Sequence, residues 1–477
     1  MKVLVSNKTP ENVKSDVVAL PLTEEAAKNN RHTKDFTGEF NQIVLVYSDR
    51  IKSKRLLLAG LGKEGKVSME KVRKVCSSVI SKAKSLKLEN LAISLPKIKR
   101  LSDTETAKAI VEASVLADYR FDKYKKDKKY KEIKELTLLG KPKLKDVVNE
   151  TTLICDNTNF VRDLVNEPGT AMNPLKITEI ARNVAKQTNI KFTLLEEKQL
   201  KKLGLNLIVS VGRGSKYSPR MVILEYLGNK KDKNKIALVG KGITFDTGGI
   251  NLKPSGYIET MKYDKTGAVT VLGIMKTLAE LKVKKNVIGV IPLCENMIGP
   301  ESYKPGDIVK SYSGKTIEVN NTDAEGRLQL ADALAYAEKK YKPSLIIDIA
   351  TLTGATLIIF GEYAASMISN NDNLASRMFQ AGEKTYERVW RLPLYDEYME
   401  EMKGEITDVK NLGYKGTYGG YAGVLTASAF LKNFIEKTPW IHLDIGGTGW
   451  YEKTRYYTLK GGTGWGVRLL VEFIKNV

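Results

Sequence analysis

Histidine and cysteine are scarce in this sequence, which contains two and three of them in 477 residues. His32 and His442 stand alone, so a histidine-rich metal site is excluded. The cysteines form no CxxC pair and no disulfide framework, which is typical of a reducing compartment, and we expect a cytoplasmic protein. These cysteines are Cys76, Cys155 and Cys294.

Long apolar runs are also missing. The N-terminal "MKVLVSNKTPENVK" has no apolar stretch of signal-peptide length. The most apolar segment, "LIIDIATLTGATLIIF", contains Asp348 and is shorter than the roughly 20 apolar residues of a membrane helix. We therefore expect a buried strand there and no membrane partner. Neither GxSxG nor GxxxxGK[ST] occurs, so any catalysis must use carboxylates, lysines, arginines or bound metal.

Basic residues are in excess, with 77 Lys and Arg against 55 Asp and Glu, a net charge of +22. Such a charge suits nucleic acid or an acidic surface. The lysines, however, are spread along the chain, and the densest run, "KYKKDKKYKEIKELTLLGKPKLK", is interleaved with acids. That pattern is typical of a solvated, ion-paired surface. Binding to nucleic acid stays open as an alternative that the sequence does not favour.

The chain is long enough for two domains, and both halves show an α/β pattern. Residues 1–147 alternate short apolar runs with helical stretches, which predicts a smaller N-terminal α/β domain with a mostly parallel sheet. Residues 148–477 predict a larger C-terminal α/β domain with a mixed central sheet. It opens with a linker helix that stops before Pro168. Its predicted strands include "KIALVG", "NVIGVIPL", "SLIIDIA" and "WIHLDIG".

Two stretches of the second domain place charged residues in apolar, glycine-rich loops. In "VGKGITFDTGGINLKPS", Lys241, Asp246 and Lys253 follow a strand that ends at Gly240. Ligands of open α/β sheets bind at such strand ends. In "MKYDKTGAVTVLGIMKTL", Asp264 lies just before a predicted helix. Each acid could be an ordinary turn or cap residue, and Lys241 could be a solvated loop lysine.

A third stretch, "NNTDAEGRLQLADALAYA", places Asp323 and Glu325 at the start of an amphipathic helix, where the helix dipole favours anions. These acids could also serve only as an N-cap and its capping partner. As a set, four carboxylates and two lysines in such loops are better explained by two divalent cations. Hard oxygen ligands shared between two metals roughly 3.5–4 Å apart form a hydrolytic site.

The octapeptide "NTDAEGRL" resembles the signature of the leucyl aminopeptidases, the cytosol aminopeptidase or M17 metallopeptidase family. The resemblance extends to "VGKGITFDTGG", "NLKPS", "DLVNEPG", "DIATLTGA" and "HLDIGGTGW". It covers about residues 150–477 strongly, and the N-terminal part only loosely. One departure is Lys265, where the family more often has an apolar residue. The resemblance implies that 148–477 is a catalytic metallopeptidase domain.

The family resemblance also implies a role for each candidate residue. It implies two divalent cations, Zn²⁺ or Mn²⁺, with Co²⁺ and Mg²⁺ as further candidates. Lys253 would contact the substrate carbonyl oxygen, and Arg327 would hold bicarbonate as a proton carrier. The implied metal ligands are Lys241, Asp246, Asp264, Asp323 and Glu325. The implied pocket for the substrate's N-terminal side chain comprises Met261, Thr351, Leu352, Gly354, Ala422 and Leu425.

The implied activity is the release of Leu or another apolar N-terminal residue from short peptides with a free N-terminus. The resemblance further implies self-association as a homohexamer. Two alternatives stay open, namely a narrow dipeptidase, for instance one acting on Cys-Gly, and an additional DNA-binding role.

Overall fold

The computed structural model describes residues 1–29, 32–127, 131–413 and 421–477. Within these residues the chain divides into two compact units. The first is Met1–Asn159 with Glu452–Lys460, and the second is Phe160–Tyr451 with Gly461–Val477. The predicted boundary at 147/148 and this division fall in one helix, Lys145–Asn166. Part of the lysine-rich run, residues 128–130, lies outside the described residues.

The first unit contains a six-stranded sheet. Its strands are β1 (Lys2–Ser6), β2 (Val17–Thr23), β3 (Ile43–Tyr47), β4 (Arg55–Gly62), β5 (Asn90–Ser94) and β6 (Glu135–Leu139). They lie in the order β1-β6-β5-β2-β4-β3. Every neighbouring pair is parallel except β3–β4 at the edge. The mostly parallel sheet is therefore confirmed.

Four α-helices begin in the described residues of the first unit. They are α1 (Glu24–Ala27), α2 (Met69–Ser85), α3 (Asp103–Asp118) and α4 (Lys145–Asn166). Helix α3 begins at a capping box, in which the Ser102 side chain accepts from the Glu105 N–H and the Glu105 carboxylate accepts in return. The apolar faces of α2 and α3 share one buried core with the strands. The linker helix α4 ends before Pro168, as predicted.

The second unit contains the remaining elements. Its strands are β7 (Lys191–Glu196), β8 (Arg220–Leu227), β9 (Ile236–Gly240), β10 (Ile243–Asp246), β11 (Asn286–Asn296), β12 (Ile308–Lys310), β13 (Thr316–Glu318), β14 (Leu345–Ala350), β15 (Ala365–Ser369), β16 (Val389–Arg391), β17 (Val409–Lys410), β18 (Trp440–Asp444), β19 (Trp450–Tyr451) and β20 (Gly461–Gly462). Its α-helices are α5 (Pro174–Thr188), α6 (Glu197–Leu203), α7 (Asn206–Gly212), α8 (Thr266–Glu280), α9 (Glu325–Tyr341), α10 (Ala355–Phe360), α11 (Asp372–Thr385), α12 (Asp396–Glu400), α13 (Gly423–Lys432) and α14 (Val467–Asn476).

The central sheet of this unit has nine strands in the order β16-β15-β18-β14-β9-β11-β8-β7, with β10 added on β11. The strands β18, β14, β9 and β11 run parallel to one another, whereas β8 pairs antiparallel with β11 and β7, and β15 pairs antiparallel with β18 and parallel with β16. The sheet is therefore mixed, as predicted. Two α/β domains, the second with a mixed sheet, confirm the predicted fold class.

The parallel strands position the candidate site. β9, β14 and β18 are buried along their whole length, which explains their unbroken apolar sequences. Their carboxyl ends are aligned, with Gly240 beside Ile349 and Ala350 beside Asp444. The loops that leave these ends therefore meet at one edge. No helix among the described residues is long and apolar enough to cross a membrane.

Candidate functional site

The candidate metal ligands meet at this sheet edge, although they come from distant parts of the chain. Lys241 follows β9, and Asp246 ends β10 beside Asn296 of β11. Asp264 lies in a 3₁₀ helix, Ile258–Lys265, that leads into α8. Asp323 lies in the turn before α9, and Glu325 is the first residue of α9. The five candidates are thus positioned by three strands and two helix entries.

Lys241 is enclosed by acids rather than solvated. Its Nζ lies 2.7 Å from Asp264 Oδ2 and 2.9 Å from Glu325 Oε1. It also donates to the Thr351 carbonyl oxygen at 2.9 Å. The residue is 2% exposed, so the alternative of a solvated loop lysine is wrong. A Cβ at Gly326 would lie 2.3 Å from Lys241 Cε, which explains the glycine between Glu325 and Arg327.

Lys253 joins the other two carboxylates. Its Nζ lies 2.9 Å from Asp246 Oδ2 and also contacts Asp323 Oδ1. The second oxygen of Asp246 accepts hydrogen bonds from the Gly248 N–H and from Asn296 Nδ2, each at 2.8 Å. Asp246 is therefore a turn residue and a member of the charged cluster at once.

The helix-capping alternative for Asp323 and Glu325 is wrong. The N-cap of α9 is Ala324, and no side chain within the described ranges caps it. The Asp323 carboxylate faces Lys253, and that of Glu325 faces Lys241. Both acids thus point into the cluster instead of satisfying the helix end.

The cluster carries more negative than positive charge in a buried place. Burial by itself would lower the pKa of Lys241, but the charges of Asp264, Glu325 and Asp246 outweigh it and hold this pKa above its usual value. Burial also raises the pKa of Asp264 and of Asp323 to about 7. Four carboxylates against two ammonium groups leave a charge excess that a buried site must compensate.

Divalent cations fit this donor set. Carboxylate oxygens of Asp246, Asp323 and Glu325 lie within 4.8 Å of one another. Glu325 Oε2 is buried and has no hydrogen-bond partner among the described residues. A buried carboxylate oxygen without a partner is costly, and a metal ion would supply the missing interaction. Hard oxygen donors of this kind suit divalent cations.

Arg327 lies on the first turn of α9 and is 7% exposed. Its Nη1 donates to the Asn411 carbonyl oxygen at 2.9 Å. Burial lowers its pKa to about 10, although the charges of Glu325, Asp444 and Asp323 oppose the change. The guanidinium therefore remains cationic at neutral pH and places a fixed positive charge beside the acids.

The predicted pocket residues lie on the 3₁₀ helix of Asp264, in the segment that follows β14 and at the start of α13. Thr351 is tied to it directly, because its Oγ1 donates to Asp264 Oδ1 at 2.7 Å. Leu352 follows in the chain, and Gly354 is the N-cap of α10. Ala422 is the N-cap of α13, with a φ of 55°, and its carbonyl oxygen accepts from the Leu425 N–H. Met261 is half-buried on the 3₁₀ helix that carries Asp264.

The starts of α10 and α13 are close together. A Cβ built on Gly423 would lie 3.0 Å from Ala355 Cβ. The structure thus brings Gly354 near Ala422, although they are far apart in sequence.

Lys265, the departure from the family pattern, is fully buried but does not join the acids. Its Nζ donates to the carbonyl oxygens of Glu167, at 3.2 Å, and Lys262. Burial and the charge of Lys262 lower its pKa to about 7.

Two residues of the site escaped the sequence analysis. Asn296 Nδ2 donates to Asp246 at 2.8 Å and to the Thr322 carbonyl oxygen at 3.0 Å, which fixes both segments. Asp444 accepts from Thr353 Oγ1 at 2.6 Å. Both residues end buried strands at the same sheet edge, and that position was a usable signal.

Two family models match the chain. The catalytic domain of the cytosol aminopeptidase family matches residues 159–471, and the N-terminal domain of the same family matches residues 10–128. The chain belongs to the cytosol aminopeptidase family. It is an aminopeptidase and thus a peptide hydrolase, which confirms the resemblance of the motifs. The N-terminal part, which resembles the family only loosely by its motifs, also belongs to it.

Named relatives agree with the family assignment. The chain is 44% identical over 442 residues to a probable cytosol aminopeptidase of Cenarchaeum symbiosum, covering 92% of this chain and 89% of the relative. It is 42% identical to one of Geotalea uraniireducens, covering 93% and 90%. Among solved structures it is similar to the bottromycin maturation enzyme BotP in complex with Mn. The TM-score is 0.89 at 30% identity, covering 97% of this chain and 99% of that one.

Proposed function

We propose that this aminopeptidase is a dinuclear-metal enzyme that releases Leu and other apolar residues from the N-terminus of short peptides. The observation that carries the proposal is the buried cluster of four carboxylates around Lys241 and Lys253, in which Glu325 Oε2 has no partner among the described residues. The Mn named with the similar bottromycin maturation enzyme supports metal dependence.

The cluster offers ligands for two ions. Asp246, Asp323 and Glu325 would hold one ion between their neighbouring oxygens, and Lys241 and Asp264 would complete a second site. Divalent cations there, Zn²⁺ or Mn²⁺ and alternatively Co²⁺ or Mg²⁺, would polarise the peptide carbonyl and lower the pKa of a bound water. Lys241 binds a metal only as the neutral amine, so it must give up its proton first.

The two lysines have different surroundings, which supports different roles. The Lys241 side chain is 3% exposed and that of Lys253 is 15% exposed. Lys253 is therefore the cation that an incoming peptide reaches. Its ammonium can donate to the carbonyl oxygen as negative charge develops there, the role of an oxyanion donor.

Arg327 is the residue of the cluster suited to an anion. Its guanidinium is buried on the first turn of α9, where the helix dipole also favours negative charge. It would hold a bicarbonate ion as proton carrier. His442, in the core of the second unit, is hydrogen-bonded to Asp348. It is therefore already engaged, and another group must carry the proton.

Small and apolar residues around Thr351 support a preference for apolar side chains. The expected pocket comprises Met261, Thr351, Leu352, Gly354, Ala422 and Leu425. Three consecutive apolar residues of α10, Leu357, Ile358 and Ile359, are 47%, 84% and 49% exposed. They support the proposed homohexamer, because a contiguous exposed apolar patch is typical of an interaction surface. Light scattering that reports an active monomer would refute the hexamer.

Hydrolysis of Leu-p-nitroanilide after loading with Mn²⁺ or Zn²⁺ tests the proposed function. We expect activity that a chelator removes and added metal restores, with two ions bound per chain at saturation. Activity that survives complete removal of metal would refute the proposal. A panel with Cys-Gly and longer peptides separates a broad aminopeptidase from a narrow dipeptidase.

A further inference from the structure

Asp444 holds the chain segment that follows β14. It is fully buried at the end of β18. Its Oδ1 accepts hydrogen bonds from the backbone N–H groups of Leu352 at 3.1 Å, Thr353 at 3.3 Å and Gly446 at 3.1 Å. Its Oδ2 accepts from Thr353 Oγ1 at 2.6 Å. One carboxylate thus satisfies four donors, three of which belong to residues 352–353.

The same segment is tied to the charged cluster at its other end. Thr351 Oγ1 donates to Asp264 Oδ1 at 2.7 Å, and the Thr351 carbonyl oxygen accepts from Lys241 Nζ at 2.9 Å. The segment therefore has two anchors, of which one is a pair of candidate metal ligands and the other is Asp444. Leu352 and Thr353 are partly exposed, and Gly354, which follows them, is exposed.

We propose that Asp444 is a positioning residue that sets side-chain specificity, because it holds Leu352 and Thr353, and with them the start of Gly354, at a fixed place relative to the metal ligands. This inference rests on the proposed function above. The segment lies outside the strand ladder, so charge-assisted hydrogen bonds to a buried carboxylate take the place of ladder bonds. A segment held in this way gives the pocket a fixed shape, and that shape decides which substrate side chains the pocket accepts.

His442 is a charged neighbour of the buried Asp444 carboxylate on the same strand. It lies two residues before Asp444 and therefore on the same face of β18. Its Nδ1 lies 2.6 Å from Asp348 Oδ1, and the other oxygen of Asp348 accepts from Trp440 Nε1 at 2.7 Å. Burial raises the pKa of Asp444, and the charge of His442 opposes that rise.

The chain offers a matched control in Asp332. This carboxylate is also fully buried and also accepts backbone N–H bonds, from Leu207 and Tyr312 at 2.8 Å and from Ile208 at 3.4 Å. Those partners belong to α7 and to the loop after β12, not to the pocket segment. Loss of Asp332 would therefore report on the general cost of removing a buried carboxylate.

The test compares Asp444→Ala, Thr353→Val and Asp332→Ala with the wild type, all loaded with metal. The readouts are bound metal and kcat/KM for Leu- and Ala-p-nitroanilide.

A pocket that binds a side chain discriminates between substrates that differ by one methylene group by about 10–200-fold in kcat/KM. We expect the Leu/Ala ratio to fall about fivefold or more in Asp444→Ala, mainly through KM. In Thr353→Val it should fall less, and in Asp332→Ala it should stay unchanged. Bound metal should be equal in all four proteins.

An unchanged Leu/Ala ratio in folded Asp444→Ala would overturn the inference. If that variant does not fold, Thr353→Val decides, since it removes a single hydroxyl, and an unchanged ratio there overturns the inference equally. Loss of metal from Asp444→Ala would also overturn it, because the residue would then act through the ligands. A wild-type protein inactive on both substrates would instead refute the proposed function and remove the basis of the inference.

Discussion

The ammonium group of Lys241 lies 2.9 Å from Glu325 Oε1, with both side chains 3% exposed. One residue follows β9 and the other starts α9, so the contact joins the central sheet to the helix that begins in the "NTDAEGRL" motif. The pair explains why the motif continues with Gly326, above which the lysine side chain passes. It also makes the geometry of the proposed metal site depend on a single glycine.

Gly326→Ala should therefore weaken metal binding. The added Cβ would lie 2.3 Å from Lys241 Cε, so the lysine must move away from Asp264 and Glu325. Disturbed ligand support typically costs about 10–100-fold in metal affinity or activity, and we expect a loss of that order. Metal titration of the purified variant is the measurement. Gly65→Ala is the matched control, since nothing lies within 4 Å of a Cβ there. Equal affinities in the two variants would contradict the prediction.

Lys253→Ala should slow turnover and leave the ions in place. Lys253 pairs with Asp246 and Asp323, and as an oxyanion donor it acts on the transition state. Loss of such a donor costs roughly 100- to 1000-fold in kcat. Steady-state kinetics combined with metal analysis will check this. A variant purified without metal despite saturating supply would show that Lys253 has a different role.

Metal affinity should increase with pH because of Lys241. Burial by itself would lower the pKa of this lysine, but the neighbouring carboxylates hold the pKa above its usual value. The metal-free site therefore keeps the ammonium form, and each metal bound to the amine must release a proton. Lys241→Met, which lacks the amine, should show a flatter dependence between about pH 6 and 9. Identical slopes for the two proteins across this range would show that Lys241 is not a ligand.

Lys265→Met should change how stability depends on pH. Burial lowers the folded-state pKa of Lys265 to about 7, against about 10.4 in an unfolded chain. Between about pH 7 and 10 the unfolded chain then binds more protons, so the free energy of unfolding rises with pH in this window. Below about pH 7 the buried lysine destabilises the fold.

The measurement for Lys265 is the free energy of unfolding in denaturant at several pH values, in the presence of a chelator. The wild-type value minus the Lys265→Met value should grow from about pH 7 to 10. Subtraction removes the contribution of other titrating groups, which the two proteins share. A difference that is constant across this window would contradict the prediction.

Much of the fold was readable from local patterns. The apolar runs before Gly240 and around Asp348 became buried parallel strands, and the apolar stripe after Glu325 became α9. Such patterns report on burial and period, which are set by neighbours within a few residues. The motif residues were also recognisable, because a dense set of acids in glycine-rich loops is unusual for structure alone.

Alternative explanations of the same residues could be separated only in three dimensions. By sequence, Asp323 is equally an N-cap and a ligand candidate, and the choice depends on Lys253, which lies far away along the chain. Asn296 and Asp444 gave a signal only through their place at strand ends, and their partners come from other elements. No local sequence pattern indicated that Glu452–Lys460 belongs to the first unit.

By itself, then, the sequence determined the two α/β domains, the family and the residues that carry charge into its glycine-rich loops. The tertiary structure decided which charges face one another. The physical reason is that strand and helix formation depends on near neighbours, whereas a contact such as Lys241 with Glu325 depends on strand order and on the meeting of loops at one sheet edge. Strand order is fixed by the packing of the whole domain, and no local pattern contains it.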